Sequence, residues 1–128
     1  MIRSLLKDIA SIQIVGEATD GLNAVDNAQE LLPDLILMDI GLPRLNGIEA
    51  ARRIRRFHAS SKIVFVSQET AFEVIQEALS MGLCGYILKS AVSSDLLRAI
   101  DAVLQGHQYL CGWLAGLYPA AGSDLDEQ

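Results

Sequence analysis

In D-L-I-L-M-D-I-G-L-P-R-L-N-G (residues 34–47), an apolar run meets a loop rich in turn residues. Leu35 to Met38 are all apolar, where a half-buried strand would alternate. A continuous run suits a strand covered on both faces, as in a parallel sheet. The run ends on a carboxylate, Asp39, and Gly41, Pro43, Asn46 and Gly47 mark the loop that follows. In open α/β sheets, chemistry gathers beyond the carboxyl ends of the strands. Asp39 is therefore a candidate reactive group, with an N-cap or turn aspartate as the plainer alternative.

Outward from this stretch, strands and helices alternate. S-I-Q-I-V (11–15), Ile63–Val66 and Gly85–Leu88 read as further strands, and residues 2–9 as a short helix. Between Gly21 and about Leu32, a helix carries Leu22, Val25, Ala28 and Leu32 on one face; Asp20 is placed to cap it and Pro33 ends it. Gly47 opens a second helix with Ile48, Ala51, Ile54 and Phe57 in a stripe. Thr70 is placed to cap a third over 71–81, with Phe72, Ile75 and Leu79 apolar and Gly82 as its stop. The last runs from about Ser93 to Leu104 on Leu96, Leu97, Ile100, Val103 and Leu104, with Arg98 and Asp101 opposite. Such alternation predicts right-handed βαβ units and a parallel sheet. Beyond Gly106 the pattern is broken by Gly112, Gly116 and Pro119, so 107–128 reads as a linker-like tail, mobile or loosely packed from Tyr109.

At 128 residues the chain is one domain with a single core. Its 51% hydrophobic and 20% charged content is that of a globular protein. No apolar run is long enough to span a membrane, and the charges in I-R-S-L-L-K-D interrupt any signal-peptide core, which predicts a cytoplasmic chain. Cys84 and Cys111 lack C-x-x-C spacing and are expected as free thiols. A net charge of −6 argues against DNA binding by this chain. The local exception, R-R-I-R-R (52–56), reads better as a solvated helix face. His58 and His107 lack partners at metal-ligand spacing.

Asp39-x-x-x-Pro43-x-x-x-Gly47 between a strand and a helix resembles the phosphoacceptor segment of bacterial response-regulator receiver domains. Ser67, ending I-V-F-V-S, falls where that family has its hydroxyl residue. Lys89, in G-Y-I-L-K-S, falls on the family's lysine, and Tyr86 on its switch aromatic, there expected half-exposed, with core packing an equal alternative. V-G-E-A-T-D-G (15–21) points to the NarL/LuxR-type subclass. The resemblance covers about residues 1–106. It implies a flavodoxin-like, doubly wound parallel sheet of order 2-1-3-4-5. It also implies a histidine kinase as phosphoryl donor, Asp39 as acceptor, and Lys89 and Ser67 as contacts to the phosphoryl oxygens. A magnesium ion would sit on the Asp39 carboxylate and the Gly41 backbone carbonyl.

One departure is expected to matter. Receiver domains open with an apolar strand ending in two acidic residues, whereas this sequence begins inside the helix that follows. The absent strand would lie between Ile12–Val15 and Leu35–Met38, and Asp8 cannot stand in for the pair. Magnesium is then expected to bind weakly or not at all, since it usually takes one or two carboxylates plus waters. Either the flanking strands close the gap, or self-association or another chain supplies a strand, or the fold is only marginally stable. Members of this subclass normally continue into a DNA-binding helix-turn-helix, which does not follow here. Three readings stay open: a phosphoacceptor switch, a phosphorylation-independent interaction module, and an inert fragment of a longer transcriptional regulator. An enzyme is the weakest reading, because aspartyl-phosphatases of this kind have a second Asp where Gly41 stands.

Overall fold

The computed structural model describes residues 16–82 and 84–110. In chain order these form α1 (Gly21–Leu31), β1 (Leu35–Asp39), α2 (Gly47–Phe57), β2 (Lys62–Ser67), α3 (Phe72–Leu79), β3 (Cys84–Leu88), a 3-10 turn (Lys89–Ala91), α4 (Val92–Leu104) and β4 (Tyr109–Leu110). The strands make one sheet of order β1-β2-β3-β4, and every neighbouring pair is parallel. The expected α/β fold and its parallel pairing are thus observed. The readings of 2–9 and 11–15, the absent first strand, and the tail from Cys111 lie outside the described residues.

Local chemistry sets the boundaries. Asp20 caps α1, its Oδ1 accepting from the Asn23 N–H at 2.8 Å, and Leu32 ends the helix in the left-handed region at φ 44 just before Pro33. Asn46 caps α2 by accepting from the Glu49 N–H at 2.9 Å. Glu49 in its first turn and Arg55 and Arg56 in its last complement the helix dipole. The cap position falls on Ala71, one residue beyond the expected Thr70. Ala71 stays extended, so α3 starts at Phe72 with no side-chain cap and runs for only 8 residues.

Two helix stripes are narrower than periodicity implied. Leu97 and Leu104 of α4 are 52% and 50% exposed, while Val92, Leu96, Ala99, Ile100 and Val103 face the core. On α3, Ile75 and Ala78 are buried and Phe72 is 50% exposed. Leu22, Leu32 and Phe57 are likewise exposed at the margins of α1 and α2. The small residues Ala50, Ala51, Ala78 and Ala99 instead bring the helices close to the sheet, which leaves the bulkier flanking side chains outside.

Burial also differs across the sheet. Every residue of β3, and every one of β2 after Lys62, is buried, whereas β1 buries only Met38 fully. Coverage on both faces was expected for β1; among the described residues it has one strand neighbour, and Leu35, Ile36 and Leu37 are only partly buried.

The second correction is at the chain's far end. Tyr109 and Leu110 add a strand beside β3, in register with Gly85 and Tyr86, and Leu110 is buried. A two-residue strand is too short for any alternation to register in sequence. No helix among the described residues is long and apolar enough to cross a membrane.

Candidate functional site

Register brings the candidate residues to one end of the sheet. Asp39 pairs with Val66 and Ser67 pairs with Leu88, so Lys89 emerges one step beyond, two strands away from Asp39. Its side chain reaches across the end of β2. Lys89 Nζ donates to Asp39 Oδ2 at 2.8 Å, although the two residues are fifty apart in sequence. The other carboxylate oxygen, Oδ1, accepts from the Gly41 N–H, also at 2.8 Å. Both partners of the pair are accessible, Lys89 at 42% and Asp39 at 36%. A pair so exposed contributes only ~0–1 kcal/mol to stability. Its interest lies in where it holds a carboxylate and an ammonium, open to an incoming group.

Ser67 stands at the neighbouring strand end but faces its own loop. It is buried, and its hydroxyl accepts from the Glu69 N–H at 2.9 Å. That bond occupies a lone pair and leaves the hydroxyl proton to be donated. For Tyr86 the core-packing alternative is the one observed. It is fully buried, and its hydroxyl donates to the Glu69 carbonyl at 2.9 Å. β3 is itself an inner strand, between β2 and β4.

The loop after Asp39 is fixed by two close backbone approaches. Gly47 donates its N–H to the Ile40 carbonyl at 3.0 Å, and a Cβ there would lie 2.3 Å from the Asp39 carbonyl oxygen. Gly21, the first residue of α1, donates to the Pro43 carbonyl at 3.2 Å; a Cβ there would meet the Leu45 carbonyl oxygen at 1.8 Å. Between them the Leu45 N–H bonds the Pro43 carbonyl at 2.7 Å, and Arg44 sits in this tight turn at φ 70. The Arg44 guanidinium lies 3.5 Å from Asp20 Oδ2, so the acid that caps α1 also faces the turn. Sequence reading assigned Asp20 a cap and missed that Asp20-Gly21 seats the loop.

The arginine-rich stretch is largely committed within the fold. Arg52 bridges Glu49 and Glu77, Arg53 pairs with Glu49, and Arg55 donates to the carbonyls of Met81 and Ser61. His58 Nε2 lies 2.7 Å from the Pro33 carbonyl, tying the end of α2 to the α1–β1 connection. Cys84 is buried, and burial pushes its thiol up to about 11 against the opposing Arg55 charge and a Gln108 hydrogen bond. No group of three His, Cys, Asp or Glu residues that could hold a metal ion occurs among the described residues. At this strand end the described carboxylate is that of Asp39, already paired with Lys89. That donor set does not fit a tight magnesium site.

The family profile of the response regulator receiver domain matches residues 1–101. The chain belongs to the response-regulator receiver family. Among its relatives are the transcriptional activator protein ExaE of Pseudomonas putida, 38% identical over 75% of this chain and 45% of that protein, and the nitrate/nitrite response regulator protein NarL of Escherichia coli, 35% identical over 85% and 50%. A LuxR-family two-component response regulator from Aurantimonas sp. SI85-9A1 superposes with a TM-score of 0.82 at 30% identity, over 89% of this chain and 81% of that one. This receiver domain is thus of the NarL/LuxR type, and it spans about half the length of the full-length relatives it matches.

Proposed function

We propose that this receiver domain works in the cytoplasm as a phosphoacceptor switch, taking a phosphoryl group onto Asp39 from a histidine kinase. The observation that carries the reading is the 2.8 Å contact between Lys89 Nζ and Asp39 Oδ2 at the ends of two different strands. Phosphoryl transfer requires mainly an in-line nucleophile and fixed positive charge around the equatorial oxygens. An Asp39 oxygen attacks phosphorus as the bond to the donor's leaving atom breaks, and the leaving group departs with the electron pair. The product is an acyl phosphate on the protein. Lys89 then transfers its charge from the carboxylate to a phosphoryl oxygen, and Ser67 donates its free hydroxyl proton to another. Binding and switching, and no turnover of a substrate, is the role these groups suit.

With no acidic cluster beside Asp39 among the described residues, labelling is expected to be slow and weakly dependent on magnesium. Each ~1.4 kcal/mol of lost stabilisation costs tenfold in rate, so two modest deficits slow labelling ~100-fold relative to a receiver with a full acidic pocket. The same observation favours one second reading, a module kept for its surfaces and independent of phosphorylation. Incubation with acetyl phosphate at varied magnesium, read by intact mass, tests the choice. One added phosphoryl group, lost in Asp39→Ala and reduced in Lys89→Met, supports the switch. An unlabelled wild-type chain, or labelling that persists in Asp39→Ala, overturns it. Direct DNA binding is not expected, because Arg52, Arg53 and Arg55 are already engaged within the fold.

A further inference from the structure

Helix α3 and strand β4 are bound to the same turn from opposite sides. The helix has 8 residues, no side-chain N-cap and an exposed Phe72 at its start, so its own hydrogen bonds hold it weakly. Its N-terminal end follows the loop in which Glu69 bonds both Ser67 and Tyr86. Its C-terminal end is tied from outside. The Gln108 side-chain amide donates to the carbonyls of both Leu79 and Gly82, the last residue of α3 and the turn behind it. Gln108 immediately precedes β4, where Leu110 pairs with Tyr86 and the Tyr109 hydroxyl donates to Asp95 of α4 at 2.8 Å.

We propose that Gln108, Tyr109 and Leu110 form a latch whose seating on β3 is coupled to the seating of α3. When α3 shifts, Gln108 loses its carbonyl partners and the short edge strand loosens; when the strand lifts, the end of α3 frays. Two residues of parallel pairing do not hold a strand unaided, so the Gln108 and Tyr109 ties govern whether β4 stays docked. The chain beyond Leu110 is thereby connected to the helix that borders the Ser67–Glu69 loop. This coupling concerns α3 and β4 alone, and it stands or falls whether or not Asp39 is phosphorylated.

Linkage requires the effect to run both ways, which native-state amide exchange on the whole 128-residue chain can read. Gln76 is exposed in the middle of α3, so Gln76→Gly weakens the helix without touching its packing. Relative to β2 amides, it should speed exchange in α3 and also in residues 105–110, by roughly three- to fivefold. Gln108→Ala should speed exchange in 105–110 and in α3. Gln108→Glu, which keeps the length of the side chain and loses the donor, should match Gln108→Ala. Exchange in 105–110 that ignores Gln76→Gly, or α3 exchange that ignores Gln108→Ala, overturns the latch. A Gln108→Glu variant that behaves as wild type assigns the effect to packing and overturns it equally.

Discussion

The two strands that carry the Asp39–Lys89 pair are built in opposite ways. β3, which delivers Lys89, is buried at every residue and flanked by strands on both sides. β1, which delivers Asp39, is fully buried only at Met38. Lys89 is therefore placed by packing. Asp39 is placed by hydrogen bonds and close approaches in the loop behind it, at Gly41, Gly47 and Gly21. A carboxylate set by a loop can be repositioned by chemistry at the loop, while a lysine set by a core strand acts as the fixed reference.

The largest expected effect probes that contrast directly. Ile87→Ala removes a fully buried side chain from the middle of β3 and should cost ~2–5 kcal/mol. Ile36→Ala on β1 removes a similar side chain that is only partly buried, and should cost less than half as much. Urea denaturation of both variants checks this, and equal costs would break the comparison.

Cys84 extends the contrast to pH. Its thiol is raised from 9.0 to about 11 by burial, with Arg55 and Gln108 opposing. The folded state holds the neutral thiol longer than the unfolded chain does. Its contribution is thus fully present below about pH 9 and declines as pH rises through the window up to about 11. At ~1.4 kcal/mol per unit, the loss approaches ~2–3 kcal/mol. Wild type and Cys84→Ala should therefore show different slopes of stability against pH between about pH 9 and 10.5, and parallel slopes would show that this strand is wetter than it looks.

On the loop side, Gly21→Ala should cost ~1–3 kcal/mol, since its Cβ cannot coexist with the Leu45 carbonyl oxygen where it now lies. Its distinguishing consequence is displacement of residues 43–45. Resonances of Gly41 and Asp39 should shift while those of β3 stay in place. Shifts spread evenly over both strands would mean that the loop does not act alone in placing Asp39.

The legible part of this molecule is the part with repetition. Apolar runs at 35–38, 63–66 and 85–88 and a reactive residue closing each gave the parallel order and put Asp39 and Lys89 at one end of the sheet. What stayed hidden has no period. β4 is two residues long, and its hold comes from single side chains, Gln108 and Tyr109, bonding partners far away in sequence. Spacing left Tyr86 open between a half-exposed switch position and core packing, and the structure buries it. Ser67 was correctly placed at a strand end, but the direction of its hydroxyl depends on Glu69 two residues on, which spacing alone does not reveal.

Arg44 offers the finest test of the loop-built side. It is a non-glycine residue at φ 70, inside a turn closed by the 2.7 Å bond between the Leu45 N–H and the Pro43 carbonyl. Left-handed backbone costs an L-residue about 1–2 kcal/mol, which glycine does not incur. Against that, Arg44→Gly removes the 3.5 Å pair with Asp20 and gives the unfolded chain more freedom to lose. The guanidinium is 66% exposed, so the pair contributes little. The two entropic and steric terms nearly offset, with relief of the left-handed backbone the larger. Arg44→Gly should therefore raise stability slightly, by at most ~1 kcal/mol. A careful pair of urea curves resolves a change of that size. A loss exceeding ~1 kcal/mol would mean that the Asp20 contact, and not the backbone of the turn, holds this loop against α1.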